Sequence, residues 1–150
     1  MTIRDLQQAL IGHIEQLFSD NALKTCKVFS QSLPPKKYEN DTDTLFPYCV
    51  VSVGDGKDDQ KGSSVDVTLS FGAMDHEPDY QGYADICHMV DICRLDLAEN
   101  PWIEAKYEVQ QPVNFTLSPD DRITYPYYFG GIWFTVSVPP LNKTVYNNLI

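Results

Sequence analysis

The chain lacks any long hydrophobic run. No apolar stretch among its 150 residues approaches the about 20 needed to cross a membrane as a helix, so no membrane partner is expected. It is also poor in positive charge. Lys and Arg number 11 against 21 Asp and Glu, the formal net charge is −10, and no basic cluster exceeds Lys36-Lys37. Proteins that grip nucleic acid draw much of their affinity from Lys and Arg on phosphates, so no specific nucleic-acid binding is expected. The same charge lets the protein sit near DNA without adhering to it. The opening "MTIRDLQQALIGHIEQLF" lacks the basic start and unbroken apolar stretch of a secretory signal. An intracellular product is the expectation. Four cysteines, Cys26, Cys49, Cys87 and Cys93, have no framework spacing and are expected to be reduced and buried.

Signatures of catalysis are missing as well. There is no GxSxG, no GxxxxGK[ST] phosphate loop and no GxGxxG. The histidines His13, His76 and His88 sit in unrelated contexts, and His13 reads as a helix-surface residue. Cys87, His88 and Cys93, with His76 nearby, invite a zinc reading. Cys87 and Cys93 are six positions apart, about 240° around a helix, so their side chains diverge. "DGKDDQKGSSVD", residues 55–66, looks like a calcium loop. It lacks the alternate acids, the central glycine and the terminal glutamate that such a loop needs, and reads as a solvated hairpin tip. No enzyme activity, cofactor or metal is expected.

What is present is a globular composition, 43% hydrophobic and 21% charged, in a length that suits one domain over 1–150 with a real core. Ile3, Leu6, Leu10, Ile14, Leu17 and Phe18 fall at helical spacing, with Thr2 as N-cap and Asp5 three residues on. A short strand is expected at Cys26–Ser30. "SLPPKKYENDTDTLFP", residues 32–47, reads as an extended loop. "YCVVSV" (48–53) and "SVDVTLSF" (64–71) form a hairpin around an acidic tip at 54–63. A second helix opens near Pro78 and ends before Asn100-Pro101. Its apolar stripe is Tyr83, Ile86, Val90, Cys93 and Leu97. One or two strands cover 104–117 around Pro112, "SPDD" at 118–121 turns the chain, and a last strand covers about Tyr128–Val138 before a tail that follows Pro139-Pro140. The order α-β-β-β-α-β-β predicts an α+β, two-layer sandwich: a largely antiparallel sheet with two amphipathic helices on one face.

The segment "TYPYYFGGIWFTVSVP", residues 124–139, concentrates aromatics around Gly130-Gly131. Ile132, Phe134, Val136 and Val138 alternate with Trp133, Thr135 and Ser137, giving one buried strand face. The glycines permit a bulge or a close backbone approach. Tyr125, Tyr127, Tyr128 and Phe129 either pack the core and sheet edge or serve as interface residues, where aromatics are enriched.

Taken in order, the N-terminal helix, "LPPKKYE…FPYCVV", "VDVTLSFGAMD", "GYADICHMVDICRLDL" and "YPYYFGGIWFTVSVP" resemble the tail terminator (tail completion) proteins of long-tailed bacteriophages and prophages of Gram-positive hosts. The likeness spans most of the chain and rests on strings of ordinary residues. It implies a structural virion protein of the tail or neck, assembled in the host bacterial cytoplasm. Its subunits form a ring, typically a hexamer. The ring caps the tail tube, ends its polymerisation and meets the head–tail connector. The implied partners are copies of itself, the tail tube protein and the connector. Tyr125, Pro126, Tyr127, Tyr128 and Phe129 are then candidate contacts, as are Pro34, Pro35, Tyr38 and Phe46 of the long loop. Asp55, Asp58 and Asp59 are candidates for an acidic lumen or loop tip. Another head–tail joining protein, a monomeric adaptor and an unrecognised divalent-ion-dependent enzyme stand as alternatives.

Overall fold

The computed structural model describes residues 2–23, 25–34, 44–76, 81–117 and 125–138. The expectations for Pro35, Tyr38, the opening of the second helix at Pro78, the turn at 118–121 and the C-terminal tail lie outside these residues. Two helices and six strands follow in the order α1 (Ile3–Asp20), β1 (Lys27–Ser30), β2 (Tyr48–Asp59), β3 (Gly62–Met74), α2 (Gln81–Glu99), β4 (Trp102–Ile103), β5 (Tyr107–Leu117) and β6 (Tyr127–Val138). The expected α+β sandwich is what forms, with one extra two-residue strand, β4.

The strands make one sheet in the order β1-β2-β3-β6-β5-β4. β1 runs parallel to β2, and every other neighbour is antiparallel. The sheet's inner face is carried by one parity of each central strand: Val65, Val67, Leu69, Phe71 and Ala73 on β3, and Tyr128, Ile132, Phe134 and Val136 on β6. α1 lies over β1 and β2, while α2 lies over β3, β5 and β6. Both helices cover this same face. Leu10, Ile14 and Leu17 of α1 meet Cys93 and Leu97 of α2 above Leu69 and Phe134.

Local chemistry sets the ends of α1. Thr2 Oγ1 accepts the Asp5 amide at 3.0 Å, satisfying a donor that the first turn leaves unpaired. At the other end the Leu23 amide returns to the Phe18 carbonyl at 2.8 Å, with Ala22 at φ 61° making the reversal. Asn21 Nδ2 takes the Leu17 carbonyl as well. The buried face of α1 is Leu6, Gln7, Ala9, Leu10, Ile14 and Phe18, and Ile3 stays exposed. On α2 the buried positions are Gly82, Ile86, Met89, Val90, Cys93 and Leu97, so Tyr83 falls on the flank and not in the stripe.

Gln7 is the one polar side chain among the buried residues described, and a small network explains it. Its Nε2 donates to the Val51 carbonyl at 2.9 Å and to Gln31 Oε1 at 2.7 Å. Gln31, at φ 67°, ends β1 and turns its own amide onto β2. Gln31 Oε1 accepts the Val53 amide at 2.8 Å, and its Nε2 donates to the Val53 carbonyl at 3.1 Å. A side-chain amide thus imitates one more residue of strand beside β2, satisfying groups that the short β1 cannot reach.

Two glycines in helices give opposite expectations. A Cβ at Gly82 would run into Cδ2 and Cε2 of the buried Tyr128 ring and lie 2.9 Å from its Cγ, whereas Gly12 has nothing within 4 Å. Ala gains up to about 1 kcal/mol over Gly in a helix, but overpacking a fixed ring costs about 1–3 kcal/mol. Gly12→Ala is therefore expected to raise the urea midpoint and Gly82→Ala to lower it. Equal midpoints for the two variants would contradict the close seat of α2 on β6.

Candidate functional site

Among the described residues neither helix packs on the second face of the sheet, which is buried at Tyr48 and Val50 on β2 and exposed at Phe129 and Trp133 on β6. Its register rows can be read across the strands. Ser52, Thr68, Trp133 and Asn114 form one row, and Val50, Ser70, Gly131 and Thr116 form the next. Tyr48, Gly72 and Phe129 follow on one side, and Asp66, Thr135 and Gln110 on the other. Serine, threonine and amide side chains dominate, as expected of a strand face in contact with water. Tyr48, Val50, Phe129 and Trp133 break the pattern, and of these Trp133 is the most exposed. It sits on the polar parity of β6 and is 44% exposed.

Trp133 separates two hollows. One of about 340 Å³ is walled by Asp66, Thr68, Gln110, Asn114 and Thr135. The other, about 390 Å³, lies over Gly131 between Phe129 and Trp133, with Ser70 and Thr116 at its sides. Asp66 is held in place by a 2.9 Å hydrogen bond from Thr135 Oγ1. Gln110 donates to Ser137 Oγ at 2.7 Å.

Of the two expectations for the double glycine, a bulge or a close backbone approach, the second is what the structure shows. β6 pairs with β3 without interruption from Tyr127 to Val138. The irregularities are on other strands, between Val53 and Gly56 and between Gln110 and Asn114. Close approach is what the glycines serve. Gly130 faces the helices, where a Cβ would stand 2.7 Å from Ile86 Cγ2. Gly131 faces outward and floors the second hollow. One glycine lets α2 descend and the other opens the outer face.

The aromatic candidates divide in the same way. Tyr128 is 1% exposed and belongs to the core, which corrects its assignment as an interface residue. Strand alternation sends it inward and its neighbours outward. Tyr127 stacks on Phe46 with ring centroids 5.3 Å apart, and Phe46 in turn tilts against Tyr48 at 5.1 Å. Phe46, Tyr127 and Phe129 therefore gather at one end of the open face. Tyr125 is exposed, and its hydroxyl donates to the His76 carbonyl, tying the entry of β6 to the end of β3. Pro34 is exposed after β1 and joins none of the contacts just described.

The acidic tip is also corrected. Residues 54–59 continue β2, residues 62–63 begin β3, and only Gln60-Lys61 turn. Asp58 and Asp59 are successive strand residues on opposite faces. Asp58 Oδ1 accepts Ser63 Oγ at 2.5 Å, and Asp59 Oδ1 accepts the Lys61 amide at 2.7 Å. Asp55 is exposed at the bulge. Among the described residues no group of three or more His, Cys, Asp and Glu is placed to hold a metal ion.

Reactive groups are muted by burial. Cys26, Cys49 and Cys93 are buried free thiols, and Cys87 is half-buried. Burial pushes the Cys26 thiol up to about 12 and those of Cys49 and Cys93 well above their ordinary value. They stay protonated at neutral pH and act as small apolar residues. His13 is not the simple surface residue expected. Its Nε2 meets Asp96 Oδ2 at 2.5 Å and joins α1 to α2.

Neither protein-family models nor curated proteins give a match to this chain. The functional reading therefore rests on the sequence strings and on the open face. Trp133 was accessible to sequence reasoning, since an aromatic on the Ser/Thr parity of a strand is a signal in itself. The flank formed by Arg94 and Phe115 was not, because it depends on how α2 lies over β5.

Proposed function

We propose that this protein is a structural subunit that assembles with copies of itself into a closed ring. The ring caps the tail tube of a long-tailed bacteriophage, ends its polymerisation and meets the head–tail connector. It works in the virion, at the tail or neck, and performs no catalysis. The observation that carries this reading is the β6 part of the sheet face opposite the helices, where Trp133 and Phe129 stand exposed beside two hollows. Isolated exposed apolar residues are ordinary, but aromatics clustered with hollows on one face are typical of protein contact surfaces. The resemblance of the sequence strings to tail terminators names the assembly.

The test is light scattering after gel filtration over a wide concentration range, with electron micrographs of each peak. The expected result is a species several-fold heavier than the monomer that appears as closed rings. A strict monomer at every concentration would overturn the ring reading.

A further inference from the structure

A ring needs two different surfaces on each subunit, because only a heterologous contact closes one. The open sheet face supplies the first. The second stands on the flank of α2. Tyr83, Cys87 and Arg94 recur at helical spacing along that flank, at the side where α2 overlies β5. The Arg94 guanidinium lies 5.2 Å from the centre of the Phe115 ring. Phe115 is 51% exposed, and Tyr83 is also exposed. Arg94 is oriented by Asp91 Oδ1, 2.9 Å from its Nε. The result is a knob: a cation stacked on an exposed aromatic ring.

The open face offers the matching socket. The hollow beside Trp133 combines an aromatic wall with the exposed carboxylate of Asp66 and the amides of Gln110 and Asn114. Pockets of roughly 300 Å³ accept whole small ligands, so one of about 340 Å³ has room for a phenylalanine ring with its guanidinium. Asp91 beside Arg94 offsets part of the knob's charge through Nε, so the match rests on the guanidinium Nη groups facing a carboxylate and amides. A cation on an aromatic ring meets a carboxylate beside a tryptophan, and Trp and Arg are the residues that most often dominate contact energies.

We infer that the Arg94–Phe115 knob of one copy seats in the Asp66–Trp133 hollow of the next. The occupant of the open face is a second copy of this chain. This deepens the ring reading and rests on it. The knob and socket are different surfaces, so the contact repeats head to tail and does not stop at a symmetric dimer.

The experiment is gel filtration with light scattering on wild type, Phe115→Glu, Trp133→Glu and an equimolar mixture of the two variants. Circular dichroism of each variant checks the fold. Wild type is expected to assemble. Each variant alone is expected to be monomeric at concentrations at least tenfold above those at which wild type assembles. The mixture is expected to stop at a two-subunit species, because one intact knob meets one intact socket and the remaining pair is dead. Arg94→Glu and Asp66→Arg provide an independent check that keeps the proposal falsifiable if a glutamate variant fails to fold. Each alone weakens assembly, and the double variant regains it. Variants that assemble like wild type, a mixture that stays monomeric, or a charge-reversed pair without rescue would overturn the knob-and-socket contact while leaving the ring reading intact. A wild type that never assembles would overturn both.

Discussion

Tyr128→Ala is expected to lower the melting temperature by roughly 6–20 °C, while Phe129→Ala, one residue away, changes stability by less than about 1 kcal/mol. The two residues occupy opposite faces of β6. Tyr128 is 1% exposed, and its ring lies directly beneath Gly82 at the start of α2. Truncating a buried aromatic costs about 3–5 kcal/mol, through lost burial and the cavity left behind. In a chain of 150 residues each kcal/mol moves the melting temperature by about 2–4 °C. Phe129 is 38% exposed at the rim of the hollow over Gly131, so its removal empties no interior space. Assembly should respond in the reverse order. Folded Phe129→Ala protein should associate more weakly than wild type, since its side chain borders the open face. Thermal unfolding by circular dichroism separates the cases. Similar losses for both variants would mean that the strand is not seated as described.

This contrast shows where sequence reasoning stops. Alternation from Ile132 to Val138 was legible because apolar and polar residues differ sharply there. Through Tyr127, Tyr128 and Phe129 every residue is aromatic, so the period of two leaves no compositional trace. The inward position of Tyr128 follows from its pairing with Ala73 on β3, a contact far away in the chain. The hairpin was misjudged for a related reason. "GDGKDD" carries turn-forming glycines and acids, yet it pairs with β3 as strand through Asp59. Tertiary pairing overrides local propensity there, and the register shifts once, between Val53 and Gly56. The helices were easier, since Thr2, the apolar spacing and Asn100-Pro101 are local signals. The single-sided arrangement of those helices was predicted from amphipathicity, and it is what leaves the Trp133 face open. The knob was out of reach. Phe115 and Arg94 lie 21 positions apart, and nothing in either segment announces the other.

The second large effect concerns pH. Asp96→Asn is expected to destabilise the protein at pH 5.5 and to matter much less at pH 9. His13 on α1 contacts Asp96 on α2 across 2.5 Å. Asp96 is 13% exposed on its side chain, and the apolar residues Leu10, Ile14, Leu17, Leu97 and Phe134 surround the pair. The hydrogen bond to Asp96 raises the His13 pKa above its ordinary 6.5; burial opposes the rise, and the carboxylate's charge adds to it. A group whose pKa is higher in the folded state stabilises the fold fully below its unfolded value. That stability is lost as pH climbs through the folded value. Wild type should therefore lose this contribution as pH rises from 6.5 through the higher folded value. A hydrogen bond to a charged group contributes about 1.5–3 kcal/mol, so the gap between wild type and Asp96→Asn at pH 5.5 should be roughly 3–12 °C in melting temperature. The gap should shrink as His13 becomes neutral. Comparing the two proteins at each pH cancels most of the general repulsion that a net charge of −10 adds as pH rises. Asn100 Nδ2 lies 3.3 Å from Asp96 Oδ1 and can still bond an amide oxygen, which leaves the loss of the imidazolium partner as the main change. Parallel melting profiles from pH 5.5 to pH 9 would refute a charged His13 as the tie between the helices. A gap that closes with rising pH would mark this pair as the point where acidity strengthens the layer supporting the open face.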